Sequence, residues 1–193
     1  MKKNRSAYEL ALCGLFTALI VVGAYIKFSI PIEPFPMHFT LQFFFVLLSG
    51  FLLGSGRGLL SVAVYLVLGL IGIPVFAAGG GIAYVIRPTF GFLLGFALAS
   101  YVTGLIAEKA PSQRFGWLLL AASAGMMAYY VMGMVYFYVI SNYVIHMPVT
   151  WAVVFVNCFL ITVAGDFVLC ILAALLAQRL RPAVIRYVRG GFR

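Results

Sequence analysis

Residues 149–177 read VTWAVVFVNCFLITVAGDFVLCILAALLA, and how this run is divided decides the fold. It holds 29 residues and one charge, Asp166, the only aspartate in the chain. As a single helix it would be about 43 Å long at 1.5 Å per residue, against a bilayer core of about 30 Å. Either one helix tilts or protrudes, or the run breaks. The preferred reading is a break near Gly165. That leaves a short apolar segment at the outer face and a final helix starting at Asp166. Gly-Asp before an apolar run suits a helix start, because a carboxylate caps free N–H groups and faces the positive end of the dipole.

The rest of the chain is equally apolar. Of 193 residues, 65% are hydrophobic and 9% charged, and the mean hydropathy is +1.13. Soluble domains carry about 45–50% apolar and about 25% charged residues. The composition therefore predicts an all-α integral membrane protein, a single membrane domain over residues 1–193. The basic start MKKNR leads into an apolar run reaching Phe28. That run is long enough to span and lacks an obvious small-residue cleavage site.

Proline, glycine and charge divide the remainder. Helices are expected over residues 7–28, 41–53, 59–71, 90–107 and 117–143, before the final region at 149–180. The second and third are short for a bilayer and need their ends sheltered by neighbouring loops. Six spans with a cytoplasmic N-terminus put both termini inside. Eleven of the thirteen Lys and Arg residues then lie inside, and only Lys27 and Arg87 outside. This bias matches the positive-inside rule. It accounts for the net charge of +9 through topology and anionic-lipid contact, without nucleic acid.

Against that bias, Arg87 stands in a long outer loop that includes FAAGGGIAYVIRPT, residues 76–89. Gly79, Gly80 and Gly81 allow close backbone approach to a small ligand, and Phe76 and Tyr84 supply ring faces. The first outer loop adds Phe35, Met37, His38, Phe39, Thr40 and Gln42. Together they describe an apolar cup with a few polar handles, the usual makeup of a small-molecule site. Singly, each has a plainer reading. The glycines make a turn, Arg87 anchors a helix at the headgroups, and Asp166 caps its helix. Lys27 snorkels, Glu33 is solvated, and His38 and His146 are isolated loop residues. All the candidates nevertheless fall on one side of the membrane.

Helix 1 carries Ala7, Ala11, Gly14 and Ala18 on one face, spaced for close approach of another helix, either within the protein or outside it. Ala173, Ala174 and Ala177 are similar. Cys13, Cys158 and Cys170 are far apart in sequence and read as buried inert thiols, with no metal-ligand spacing. No carboxylate pair, catalytic triad motif or phosphate loop is present, so neither an enzyme nor an ATPase is expected and no cofactor is implied. Four acidic residues in all make a proton relay hard to build. A pore would need polar residues on several helices.

The run PFPMHFTLQFFFVLLSGFLLGSGRGLLSVAVYLVLGLIGIPVFAAGGG, residues 34–81, resembles the signature region of the BioY family. RPTFGFLLGF and GDFVLCILAALLAQRLR follow in the family's order, and the resemblance covers essentially the whole chain. It implies the six-helix fold of biotin-binding S components of energy-coupling factor transporters, in a bacterial cell membrane. Its implied partners are a transmembrane T component and two ATPases that power inward release. It further implies that Ala7 and Ala11 form the alanine-x-x-x-alanine motif that docks the T component.

In the family, Gly-Asp-x-x-Lys lies near bound biotin. Gly165 and Asp166 match, whereas Leu169 stands where the lysine would be. The expected roles are Asp166 for the ureido N–H groups and Arg87 for the carboxylate, whose geometry suits a guanidinium. Tyr84, Phe76 and the backbone of Gly79, Gly80 and Gly81 line the pocket, with Thr40 and Gln42 beneath a first-loop lid. A lipoate-like acid as ligand, or transport by the chain alone or as a homodimer, are the alternatives.

Overall fold

The computed structural model describes residues 2–30 and 37–190. Glu33 and Phe35 lie outside the described residues, as do the side chains of Met37 and His38. Seven helices follow one another: α1 (Lys2–Tyr25), α2 (Gln42–Leu53), α3 (Ser55–Leu70), α4 (Phe90–Lys109), α5 (Phe115–Val139), α6 (Trp151–Phe155) and α7 (Val163–Gly190). Between α1 and α2, strands β1 (Lys27–Ile30) and β2 (Met37–Thr40) pair antiparallel, Lys27 opposite Thr40. The all-α expectation is thus corrected to a mostly helical fold with one hairpin. Strands of four residues separated by prolines leave too short an alternation to read.

Among the described residues, four helical segments are long and apolar enough to cross a membrane: 7–25, 90–109, 115–144 and 163–184. Large apolar side chains such as Leu10, Leu15, Val67, Val131 and Leu172 stand exposed along the helices, as a lipid-facing surface requires. Where lipid is the solvent, helices associate through close packing and polar bonds rather than through hydrophobicity. Accordingly, the Ser49 and Ser100 hydroxyls meet at 2.8 Å between α2 and α4, and Thr17 donates to Ser61 O at 2.9 Å between α1 and α3. Ala173, Ala174 and Ala177 are fully buried inside the bundle. Ala7, Ala11, Gly14 and Ala18 all face outward, so the small face of α1 is not spent on internal packing.

The two ends of the bundle differ. At the corner end, α2 turns into α3, Glu9 pairs with Arg57 at 2.8 Å, and Arg181 donates to Gln113 at 2.8 Å. Glu108 accepts from the backbone and hydroxyl of Ser55, both at 2.9 Å. This carboxylate satisfies the first free N–H of α3, which starts at Ser55, four residues before the expected Leu59. At the hairpin end, Lys27 Nζ donates to Ala77 O, Tyr25 to Pro74 O at 2.6 Å, and Tyr136 to Val85 O at 2.6 Å. The hairpin, the 71–89 loop and α6 all belong to this end.

The overlong run does break, but at Ile161–Thr162 rather than Gly165. Beyond α6 the chain makes wide π turns over Val156–Leu160, and α7 begins at Val163. Asp166 N already bonds Thr162 O at 3.0 Å. Asp166 thus sits in the first helical turn and does not cap it. The break falls where Thr162 turns its hydroxyl back to Cys158 O at 2.9 Å, a local bond that competes with the regular helix.

Candidate functional site

Since Asp166 is not spent on capping, its carboxylate turns sideways into the bundle. It is 3% exposed, and a charge at such depth requires partners. Tyr130 of α5 donates to Oδ2, and the same phenol lies 2.9 Å from Thr162 Oγ1. Tyr130 has one proton and two acceptors within reach. The carboxylate is the stronger acceptor and takes it. Thr162 then donates either to the phenolic oxygen or to Cys158 O. The other carboxylate oxygen, Oδ1, makes no hydrogen bond among the described residues. It also is not among the sealed unpaired atoms, of which Ser141 Oγ is the one found there. Asp166 lines a cavity, so this free acceptor opens into it.

That cavity lies at the hairpin end and with its open mouth spans about 650 Å³. Its wall is built from seven parts of the chain. The hairpin gives Phe39 and Thr40, α2 gives Gln42 and Phe43, and the 71–89 loop gives Ala77, Tyr84 and Thr89. Phe92, Leu93 and Phe96 come from α4, Tyr129 from α5, Cys158 from the π turns, and Thr162 and Asp166 from the start of α7. Phe43 and Phe96 stack on Tyr129 at 4.9 and 5.4 Å. The result is a mainly aromatic slot with its acid at one side, suited to a flat ring carrying N–H donors.

Gly165 lets the hairpin close on this slot. A Cβ there would sit 2.8 Å from the Phe39 ring and would push the ring aside, so with glycine the ring edge rests directly on the α7 backbone beside Asp166. Opposite, Gln42 donates to the Tyr65 hydroxyl at 2.7 Å, and Thr40 approaches the Gln42 carbonyl at 3.4 Å.

Of the expected site residues, Asp166, Tyr84, Thr40 and Gln42 come together on the cavity wall. Phe76 does not line it. It is 2% exposed and packs behind Tyr84, rings 4.7 Å apart. Gly79, Gly80 and Gly81 are not on its wall either. Gly79 and Gly81 have φ of 115° and 101°, and their N–H groups donate to Phe76 O at 3.1 Å and Gly69 O at 2.7 Å. Gly80 makes its close approach to the loop's own start instead, since a Cβ there would stand 2.4 Å from Ile73 O. The triple glycine is thus used to fold the loop back on itself, and the loop presents Ala77 and Tyr84 to the cavity.

Arg87 is exposed, and its guanidinium lies over the Tyr84 ring at 4.8 Å from the centroid. It stands beside the wall and not in it. Burial raises the Tyr84 phenol pKa, while the charge of Arg87 pulls it the other way. Leu169 is 7% exposed and belongs to the apolar core. Tyr130, Thr162 and Tyr129 were missed from the sequence. Each sits within an apolar or small-residue run whose pattern says buried and nothing more. No group of three metal-ligating side chains occurs among the described residues.

Known proteins resemble this chain in sequence and fold. The sequence model of the BioY family matches residues 1–186. The chain is 42% identical over 180 residues to a protein from Lysinibacillus sphaericus described as a probable biotin transporter BioY, covering 93% of this chain and 90% of that one. It is 44% identical over 174 residues to the biotin transporter BioY of Thermotoga maritima, covering 90% and 95%. A crystal structure of the S-component for biotin from an ECF-type ABC transporter superposes with a TM-score of 0.81, at 25% identity. That match spans 94% of this chain and 95% of the other.

Proposed function

The chain belongs to the BioY family, and on that premise we propose that it is the substrate-binding S component of an energy-coupling factor importer, with biotin as its ligand. The observation that carries this reading is the free Oδ1 of Asp166, an anionic acceptor opening into an aromatic slot at one end of a membrane bundle. The ureido ring of biotin is flat and carries two N–H donors that point apart, one of which that acceptor suits. Arg87, at the side of the mouth, takes the valerate carboxylate. Tyr84, Thr40 and Gln42 flank the ring, while Phe76 and the turn of three glycines brace Tyr84 from behind. The chain binds and releases its ligand unchanged and is not an enzyme.

In the membrane, α1 to α5 and α7 make six crossings, and α6 lies at the outer face. The hairpin end faces out and the corner end faces the cytoplasm with both termini. The distribution of basic residues supports this orientation. The outward-facing Ala7 and Ala11 dock a T component, which works with two ATPases to release biotin inward. Native mass spectrometry of the purified chain is the direct test, with a co-purifying mass of biotin as the expected result. Purified protein that neither retains nor rebinds biotin refutes the ligand. Uptake that persists without the T component and ATPases refutes the importer.

A further inference from the structure

The geometry points to Tyr129 as a specificity-determining residue, whose hydroxyl donates to the ureido carbonyl oxygen of a ligand held by Asp166. This assignment rests on the biotin reading and deepens it. A cyclic urea presents one acceptor between two donors. As a carboxylate, Asp166 accepts one N–H at Oδ1, which leaves the carbonyl oxygen needing a donor. Leu169, one turn further along α7, is apolar and offers none.

Tyr129 meets the need on three counts. It lines the same cavity as Asp166. It is half-buried, and among the described residues its hydroxyl makes no hydrogen bond. Nor can the ring swing away to find a partner. It is held by Phe43, Phe92 and Phe96 at 4.9, 5.2 and 5.4 Å. Behind it, α4 lies so near that a Cβ on Gly95 would stand 2.8 Å from Tyr129 O. The neighbouring phenol, Tyr130, gives its proton to Asp166. Tyr129 therefore has a held ring and an unused donor on the same cavity wall as Asp166.

The test uses the full chain in lipid nanodiscs and titration calorimetry with two probes. These are biotin and its thiono analogue, in which sulfur, a weak acceptor, replaces the ureido oxygen. Wild-type protein is expected to prefer biotin. Tyr129→Phe keeps the ring and is expected to weaken biotin about two- to tenfold, the worth of one neutral hydrogen bond. Binding of the thiono analogue stays unchanged, so the preference collapses. Equal weakening of both probes, or unchanged biotin affinity, overturns the assignment. Should the phenylalanine variant not fold, fluorotyrosine at position 129 supplies a stronger donor and is expected to raise the preference for biotin. An unchanged preference there overturns the assignment as well. Wild-type protein that binds neither probe refutes the biotin reading itself, and this assignment with it.

Discussion

At the scale of single residues, one carboxylate sets the chemistry of the molecule. Asp166 is held by Tyr130, and through Tyr130 by Thr162, so its orientation is fixed before any ligand arrives. Preorganisation of this kind lowers the ordering cost of binding. Asp166→Asn preserves shape and removes charge. It is expected to weaken biotin about ten- to hundredfold, since hydrogen bonds to charged groups contribute about 1.5–3 kcal/mol. Tyr130→Phe leaves Oδ2 without its donor and is expected to cost about tenfold in affinity. It also destabilises the fold, because a buried charge loses a partner. Calorimetric titration and thermal unfolding of both variants measure these effects. An Asn variant with wild-type affinity would remove Asp166 from the site. The sequence singled out Asp166 because a charge in an apolar run is conspicuous. It could not single out Tyr130 or Tyr129, because a tyrosine in such a run is ordinary and only tertiary contact tells a filler ring from a donor.

At the scale of elements, two distant contacts shape the site. The hairpin closes over α7 because Gly165 leaves room for Phe39. Gly165→Val is expected to push the Phe39 ring off the helix, open the cavity and speed biotin dissociation severalfold, with smaller changes in thermal stability. Stopped-flow release of a fluorescent biotin derivative reads this directly, and an unchanged rate would mean that Phe39 does not cover the ligand. At the other end, Glu108 satisfies the first turn of α3. Glu108→Ala is expected to lower stability by about 0.5–2 kcal/mol, the usual worth of a helix cap, with biotin affinity retained. Thermal unfolding in nanodiscs checks it. Both contacts also mark where boundaries were misread. GSGRG reads as a helix breaker until a glutamate 53 residues away caps it. The α7 start falls at Val163 because the Thr162 side chain, and not Gly165, interrupts the run.

At the scale of the whole molecule, the spread of basic residues along the chain bears on orientation and the outward face of α1 on assembly. The six-crossing arrangement predicts that a cysteine replacing exposed Gly56, at the corner end, reacts only with reagents supplied from the cytoplasm. One replacing exposed Ala83, at the hairpin end, reacts from outside. The native Cys13, Cys158 and Cys170 are buried and give a low background. Labelling of both positions from the same side would overturn the orientation. Assembly is tested on α1. Ala7→Leu with Ala11→Leu fills an outward-facing strip that packs against nothing in the chain, so folding and biotin binding are expected to survive. Co-purification with a T component is expected to be lost, because close helix approach in lipid depends on small side chains. Retained co-purification would place the docking surface elsewhere.

The sequence by itself determined the membrane character, most of the helical segments and the family. All of these follow from composition, from charge distribution along the chain, or from long runs matched in order. It also identified the lone Asp166 and the departure at Leu169. Only the tertiary structure decided which neighbours that carboxylate has and which wall residues are shared among seven parts of the chain. It also showed that Gly79, Gly80 and Gly81 fold the loop on itself. The reason is physical. Segments are selected by the solvent they face, a property each stretch carries alone. A hydrogen bond between Tyr130 and Asp166, or a ring edge resting on Gly165, exists only once α5, α7 and the hairpin have packed together.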